Sequence, residues 1–257
     1  MQPHEIIAQS IRAASGSGRP ALVAFLTAGF PRKEDFAAQL AAIGGAADVV
    51  EIGVPFSDPM ADGMTIQRSS HEALKQGVSL AWILETLDAL PARPRAPLLL
   101  MSYLNPLLAY GLDRLPGAAR KAGVSGFIVP DLPFEEAGEI RAALGVEGLA
   151  LVQMVTPVTP PQRLAVLCEA ARGFVYAVTM TGTTGKSVAV PDDVLAYMDR
   201  VRAASPVPVC AGFGIRSAEQ VQRMAGHVDG VVVGSALVEV LERGADPAAF
   251  LEELRGG

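Results

Sequence analysis

The chain is short of aromatic residues, cysteine and histidine. Phe, Trp and Tyr together make up 5% of its 257 residues, so a large core has to be aliphatic, built from Ala, Val and Leu. Two cysteines, Cys168 and Cys210, cannot form a disulfide framework and lack metal-ligand spacing, which is the usage of a reducing cytoplasm. They read as small buried apolar side chains. The three histidines, His4, His71 and His227, fall in or beside helical stretches and form no ligand pattern, so no metal is expected. No apolar run approaches the ~20 residues of a membrane span, and Met1-Gln2-Pro3-His4-Glu5 has no basic-then-apolar signal pattern. Positive charge is in deficit as well, with 21 Lys+Arg against 27 Asp+Glu and a net charge of −6, which argues against a nucleic-acid binder. The expectation is a soluble cytoplasmic protein.

Apolar residues are plentiful. Half the chain is hydrophobic, enough for one large core. Eight short runs rich in β-branched residues stand out: Ala21 to Leu26, Val49 to Ile52, Pro97 to Met101, Gly126 to Val129, Leu149 to Val155, Phe174 to Val178, Val207 to Cys210 and Gly230 to Val233. They are continuous rather than alternating, as in parallel strands buried on both faces. Helix-like stretches lie between them, such as Lys33 to Ile43, Leu80 to Leu90 and Asp192 to Ala203. An additional helix, His4 to Ala14, precedes the first run, and Pro247 to Leu254 closes the chain. Some helices begin with cap signals: Thr159-Pro160 puts proline just inside a helix, and Ser217 precedes the acidic first-turn Glu219. One strand plus one helix, repeated about eight times, predicts an α/β fold: a (β/α)8 TIM barrel with an additional N-terminal helix, one domain over residues 1–257. An open doubly wound sheet is the alternative, weakened because no Gly-x-Gly-x-x-Gly turn follows the first strand.

In such a barrel the chemistry sits at the carboxyl ends of the strands. Glu51 is the unusual residue, a carboxylate within the apolar run Val49-Val50-Glu51-Ile52. Buried and unpaired, it would have a raised pKa suited to acid/base work; turned outward, it would meet a lysine. A long loop rich in Pro, Gly and Asp follows, through Asp58 and Asp62 to Gln67. Two late turns, Ala211-Gly212-Phe213-Gly214-Ile215 and Gly234-Ser235-Ala236, have the composition of a phosphate cradle at the usual phosphate position of the fold. A third glycine-rich stretch, Thr179 to Ser187, is suited to a lid. It is not a nucleotide P-loop, because Met180 stands where the first glycine would be. Asp131, Tyr103 and Tyr176 fall at or near the same mouth, with core packing the alternative for the tyrosines. On the residues alone, another phosphosugar isomerase or aldolase barrel and a catalytically silent partner-binding barrel both stay open. A Schiff-base aldolase is disfavoured, since none of the eight runs contains lysine.

At these residues the chain resembles the tryptophan synthase α subunit family. Glu51 through Gln67 matches the family's signature. The likeness extends in order through Phe25-Leu26-Thr27-Ala28-Gly29, Tyr103-Leu104-Asn105-Pro106, Phe127 to Pro133, Gly182-Thr183-Thr184-Gly185, Gly212-Phe213-Gly214 and Gly234-Ser235-Ala236. The resemblance implies retro-aldol cleavage of indole-3-glycerol phosphate to indole and glyceraldehyde 3-phosphate. Glu51 matches the general acid/base, and Asp62 matches the residue that hydrogen-bonds the indole N–H. Phe25, Tyr103 and Tyr176 match the pocket around the ring and glycerol chain. Thr184, Gly185, Phe213, Gly214, Gly234 and Ser235 match further substrate-binding positions, with Gly185, Gly214, Gly234 and Ser235 on the phosphate. The resemblance also implies no cofactor in this chain and a β subunit carrying pyridoxal phosphate, assembled as an α2β2 heterotetramer. The loops Pro55 to Asp62 and Thr179 to Val190 would lie near that partner. Three residues depart from the family pattern: Met64 where proline is usual after Asp-Gly, Phe30 where aspartate is usual, and Met180 where arginine is frequent.

Overall fold

A computed structural model describes residues 1–179, 190–212 and 214–256. Nine strands run parallel in one sheet: β1 (Ala21–Thr27), β2 (Val49–Gly53), β3 (Leu98–Met101), β4 (Val124–Ile128), β5 (Ala150–Leu151), β6 (Gln153–Val155), β7 (Val175–Val178), β8 (Val209–Gly212) and β9 (Gly230–Val233). Their order is β5-β4-β3-β2-β1-β9-β8-β7-β6. The two ends of that order, β5 and β6, are separated in the chain only by Val152, whose N–H donates to the Phe127 carbonyl at 2.9 Å. They are the two halves of the expected Leu149 to Val155 run. One half pairs with β4 and the other with β7, so the sheet curls into an eight-stranded barrel.

The strands alternate in side-chain direction, and both directions are apolar. Leu22, Ala24, Leu26, Val50, Ile52 and Leu100 pack outward against the helices. Val23, Val49, Leu99, Phe174, Cys210 and Val232 fill the interior. Ile7 and Ile11 of the first helix, Pro3–Gly16, are fully buried in that interior cluster. Ser10 Oγ donates to the Asp48 carbonyl at 2.6 Å, and the His4 N–H donates to the Gly148 carbonyl at 3.1 Å, at residues just ahead of β2 and β5. The N-terminal helix therefore seals the end where strands begin, leaving the opposite end as the mouth.

Most helices lie where the periodicity places them, with ends moved by a few residues. The helix expected from Lys33 is preceded by a 3-10 turn, Lys33–Asp35, and runs Phe36–Ala46. Pro160 is the cap and Pro161 the first residue of Pro161–Ala170, one position later than expected. The Ser217 hydroxyl accepts from the Gln220 N–H at 3.4 Å, as its position predicted. Two helices, Met64–Lys75 and Leu104–Tyr110, were not anticipated. The first buries only Ser69, Ser70 and Ala73, so it lacks the large buried apolar residues that mark the other helices. The second carries Pro106 in its first turn, where no donor is required. No helix among the described residues is long and apolar enough to cross a membrane.

Candidate active site

Glu51 is the only charged side chain in the nine strands. Alternation along β2 sends Val49, Glu51 and Gly53 inward, and Glu51 stands in register with Phe25 of β1 and Leu99 of β3. It is 1% exposed, and its Oε2 has no hydrogen-bond partner among the described residues. The outward orientation with a lysine does not occur. Burial, and then the negative charge of Asp62, push its pKa up to about 8. A carboxyl in this position is protonated at neutral pH and can both give and take a proton.

Asp62 reaches the mouth on the loop after β2. The Tyr103 hydroxyl donates to its Oδ2 at 3.1 Å and accepts from the Ala61 N–H at 2.9 Å. The Tyr103 ring stacks on Phe56 with centroids 5.1 Å apart. Gln67 Nε2, one turn into the Met64–Lys75 helix, donates to the Asp62 carbonyl at 2.8 Å. Burial raises the Asp62 pKa to about 6, and the Tyr103 hydrogen bond opposes that shift. Asp131, at the end of β4, accepts from the Leu104 N–H at 2.9 Å and so fixes the helix start at which Tyr103 is the cap.

On β1, next to Glu51, Phe25 spans the gap between β2 and β9. A methyl at Gly53 would lie 2.5 Å from its Cζ, and one at Gly234 would lie 3.9 Å from its Cβ. Gly53 therefore has to be glycine for the ring to lie flat over β2. Tyr176 on β7 lies against Gly212 in the same way, where a Cβ would approach its Cε1 to 2.6 Å. Burial raises the Tyr176 pKa, as does the nearby Glu51 charge. Gly234 ends β9, and Ser235 opens the helix Ser235–Glu242. The first N–H of that helix to bond backward is that of Val238, to the Gly234 carbonyl, and among the described residues the N–H groups ahead of it have no backbone partner, an arrangement suited to an anion. Gly214 adopts φ +74° in the exposed turn after β8. Strands β2, β1 and β9 are neighbours, which separates Glu51 from this helix start by about 10 Å at ordinary strand spacing. One small phosphorylated molecule can bridge that gap.

The structure thus places Glu51, Asp62 and Tyr103 on the β2–β3 side of the mouth, Tyr176 on β7 on the far side, and Phe25 on β1 between Glu51 and the turn of Gly234 and Ser235. Thr184, Gly185 and Phe213, with Met180, lie outside the described residues. Met64 is a 77% exposed first helical residue, whereas Phe30 is buried against Phe25 and Val238. Sequence reasoning missed Gln67 as a hydrogen-bond partner of Asp62, and Phe56 as the platform for Tyr103. It also missed the buried contact at 2.6 Å between the Thr27 and Ser69 hydroxyls, which moors the Met64–Lys75 helix to β1. Only the helical spacing of Gln67 from Gly63 could have signalled the first.

A family model described as tryptophan synthase alpha chain matches residues 11–254. The tryptophan synthase alpha chain of Solidesulfovibrio magneticus is 46% identical over 252 residues, covering 98% of each chain. That of Nitratidesulfovibrio vulgaris is 44% identical over 243 residues, covering 94% of this chain and 95% of the relative. Among solved structures, tryptophan synthase from M. tuberculosis in an open form superposes with a TM-score of 0.88 at 34% identity, covering 98% of this chain and 97% of that one. The alpha subunit from Legionella pneumophila superposes with a TM-score of 0.88 at 30% identity, covering 100% and 98%.

Proposed function

The chain belongs to the tryptophan synthase alpha chain family, and from that premise we propose how its residues carry out the family's reaction, the lyase cleavage of indole-3-glycerol phosphate to indole and glyceraldehyde 3-phosphate in tryptophan biosynthesis. The observation that carries the assignment of residues is the buried Glu51 carboxyl, with no partner at Oε2 among the described residues, projecting into the mouth beside Asp62.

The bond to be broken joins indole C3 to the first carbon of the glycerol chain. Indole is a poor leaving group until C3 is protonated, because only then can the ring take up the electrons of that bond. Glu51, protonated at neutral pH, gives its proton to C3, and positive charge spreads to the indole nitrogen. Asp62 accepts a hydrogen bond from the indole N–H and stabilises that charge as it develops. The Glu51 carboxylate then takes the proton of the adjacent side-chain hydroxyl. The C3–carbon bond breaks, its electrons return to the ring, and the hydroxyl carbon becomes the aldehyde. Glu51 ends as it began. Phe25, Tyr103 and Tyr176 hold the flat ring and the glycerol chain. Gly185, Gly214, Gly234 and Ser235 hold the phosphate end, and Thr184 and Phe213 are further substrate-binding residues.

The 257 residues work as a single barrel domain. The chain needs no cofactor; pyridoxal phosphate belongs to a β subunit, which receives the indole in a cytoplasmic α2β2 heterotetramer. The exposed loop around Met60, 83% exposed, is a surface suited to that partner. Chromophoric detection of indole from indole-3-glycerol phosphate, with and without added β subunit, tests the reading. Indole release that rises on adding the β subunit is the expected result; no indole under either condition would overturn it.

A further inference from the structure

The helices Met64–Lys75 and Ser235–Glu242 both begin at the mouth, one just after Asp62 and the other at the phosphate-side turn. Two polar rungs join them. Thr65 Oγ1 donates to Glu239 Oε1 at 3.5 Å, and Arg68 pairs with Glu242 through Nε at 3.1 Å and Nη2 at 2.6 Å. Thr65 and Arg68 are three residues apart, as are Glu239 and Glu242, so each pair lies on one helix edge. Glu239 has a further partner. Arg216, two residues beyond Gly214 in the turn after β8, donates to both of its oxygens, from Nη1 and Nη2, at 2.8 Å each. One carboxylate thus joins three segments: the helix that starts at Ser235, the turn that carries Gly214, and the helix that follows Asp62.

We propose that Glu239 is a positioning residue that fixes the phosphate-binding side of the mouth at a set distance from Asp62. The proposal rests on the assignment of those two sides made above. The Glu239 side chain is 28% exposed and that of Arg216 48%, so the pair belongs to a class that adds only about 0–1 kcal/mol to stability. Its effect is geometric. A planar guanidinium bound to both carboxylate oxygens has one favoured orientation, which fixes the turn relative to the helix. A substrate held at both ends is sensitive to an error of that spacing, while a ligand held at one end is not.

The test measures kcat/KM for indole-3-glycerol phosphate and Kd for glycerol 3-phosphate, which engages the phosphate end alone, in the full chain. Glu239→Ala is expected to lower kcat/KM about tenfold while Kd weakens much less, through the loosened Gly214 turn, and the thermal midpoint stays close to wild type. Glu239→Gln keeps one acceptor oxygen but sets an amide donor against the second Arg216 nitrogen, so it recovers only part of the loss. Arg216→Ala reproduces the loss, and the double variant is no worse than either single one. Unchanged kcat/KM in the alanine variants would overturn the proposal, as would an equal loss in Kd or additive losses in the double variant. A wild-type chain that does not cleave the substrate would instead overturn the assigned function.

Discussion

Tyr103 donates its phenolic proton to the Asp62 carboxylate at 3.1 Å, and the two residues come from different barrel units. Asp62 lies on a loop whose fold is set by its own prolines and glycines, yet its carboxylate is aimed by a side chain from the end of β3. That tyrosine is itself held by Phe56 stacking and by the Ala61 N–H. The arrangement makes Asp62 an oriented acceptor before any ligand arrives, which is what electrostatic stabilisation of a developing positive charge requires.

Replacing Tyr103 with Phe keeps the ring and removes the donor. Since that hydrogen bond holds the Asp62 pKa down, the acid limb of the kcat/KM profile is expected to move above pH 6. The kcat at the optimum should fall about tenfold, by loss of one charge-stabilising orientation. A pH–rate series on wild type and Tyr103→Phe measures both; an unmoved acid limb would show that the hydroxyl does not act on Asp62.

The proposed mechanism requires Glu51 protonated and Asp62 ionised in the free enzyme. With pKa values of about 8 and about 6, kcat/KM should follow a bell with limbs near those values. Asp62→Asn removes the acid limb. It also lowers the alkaline limb, because the Asp62 charge contributes to raising the Glu51 pKa. The same rate series on Asp62→Asn checks the sign, and an alkaline limb that rises contradicts it.

Stability carries the same signature in the opposite experiment. Glu51 titrates at about 8 in the folded chain against an ordinary value of 4.5, so the native state holds a proton that the unfolded chain has lost between those values. Wild-type stability therefore falls as pH rises from about 4.5 to 8. Glu51→Gln cannot lose a proton there and should match wild type near pH 5, while exceeding it by on the order of 2–4 kcal/mol above pH 8. Urea midpoints at the two pH values measure this, and a pH-independent difference would contradict it.

Gly53→Ala should deform the pocket without touching either carboxylate. Its Cβ would stand 2.5 Å from Phe25 Cζ, and the ring is walled in by Phe30 and Val238. Overpacking of this kind costs about 1–3 kcal/mol, and the displaced ring should raise KM more than it lowers kcat. Denaturation and steady-state kinetics on the variant separate the two effects.

Much of this was legible beforehand because barrel strands buried on both faces leave continuous apolar runs. A lone carboxylate such as Glu51 inside one of them is conspicuous. The turns at Gly214 and Gly234–Ser235 were legible because glycine composition and strand order coincide there. The break at Val152 was not, since a strand that divides its pairing between two neighbours has the same composition as one that does not. The Met64–Lys75 helix was hidden because it buries serines rather than leucines, and Ser69 bonds to Thr27. The aim of Asp62 depends on Tyr103, 41 residues away, and no local pattern reveals such a partnership.

The most direct measurement is indole release by Glu51→Gln at neutral pH, with circular dichroism and glycerol 3-phosphate binding as checks on the fold. The account predicts that cleavage falls by about 10²–10⁴-fold or more while both checks match wild type. Cleavage at the wild-type rate in that variant would contradict it, because no other carboxyl stands on the strands of the barrel to move the proton.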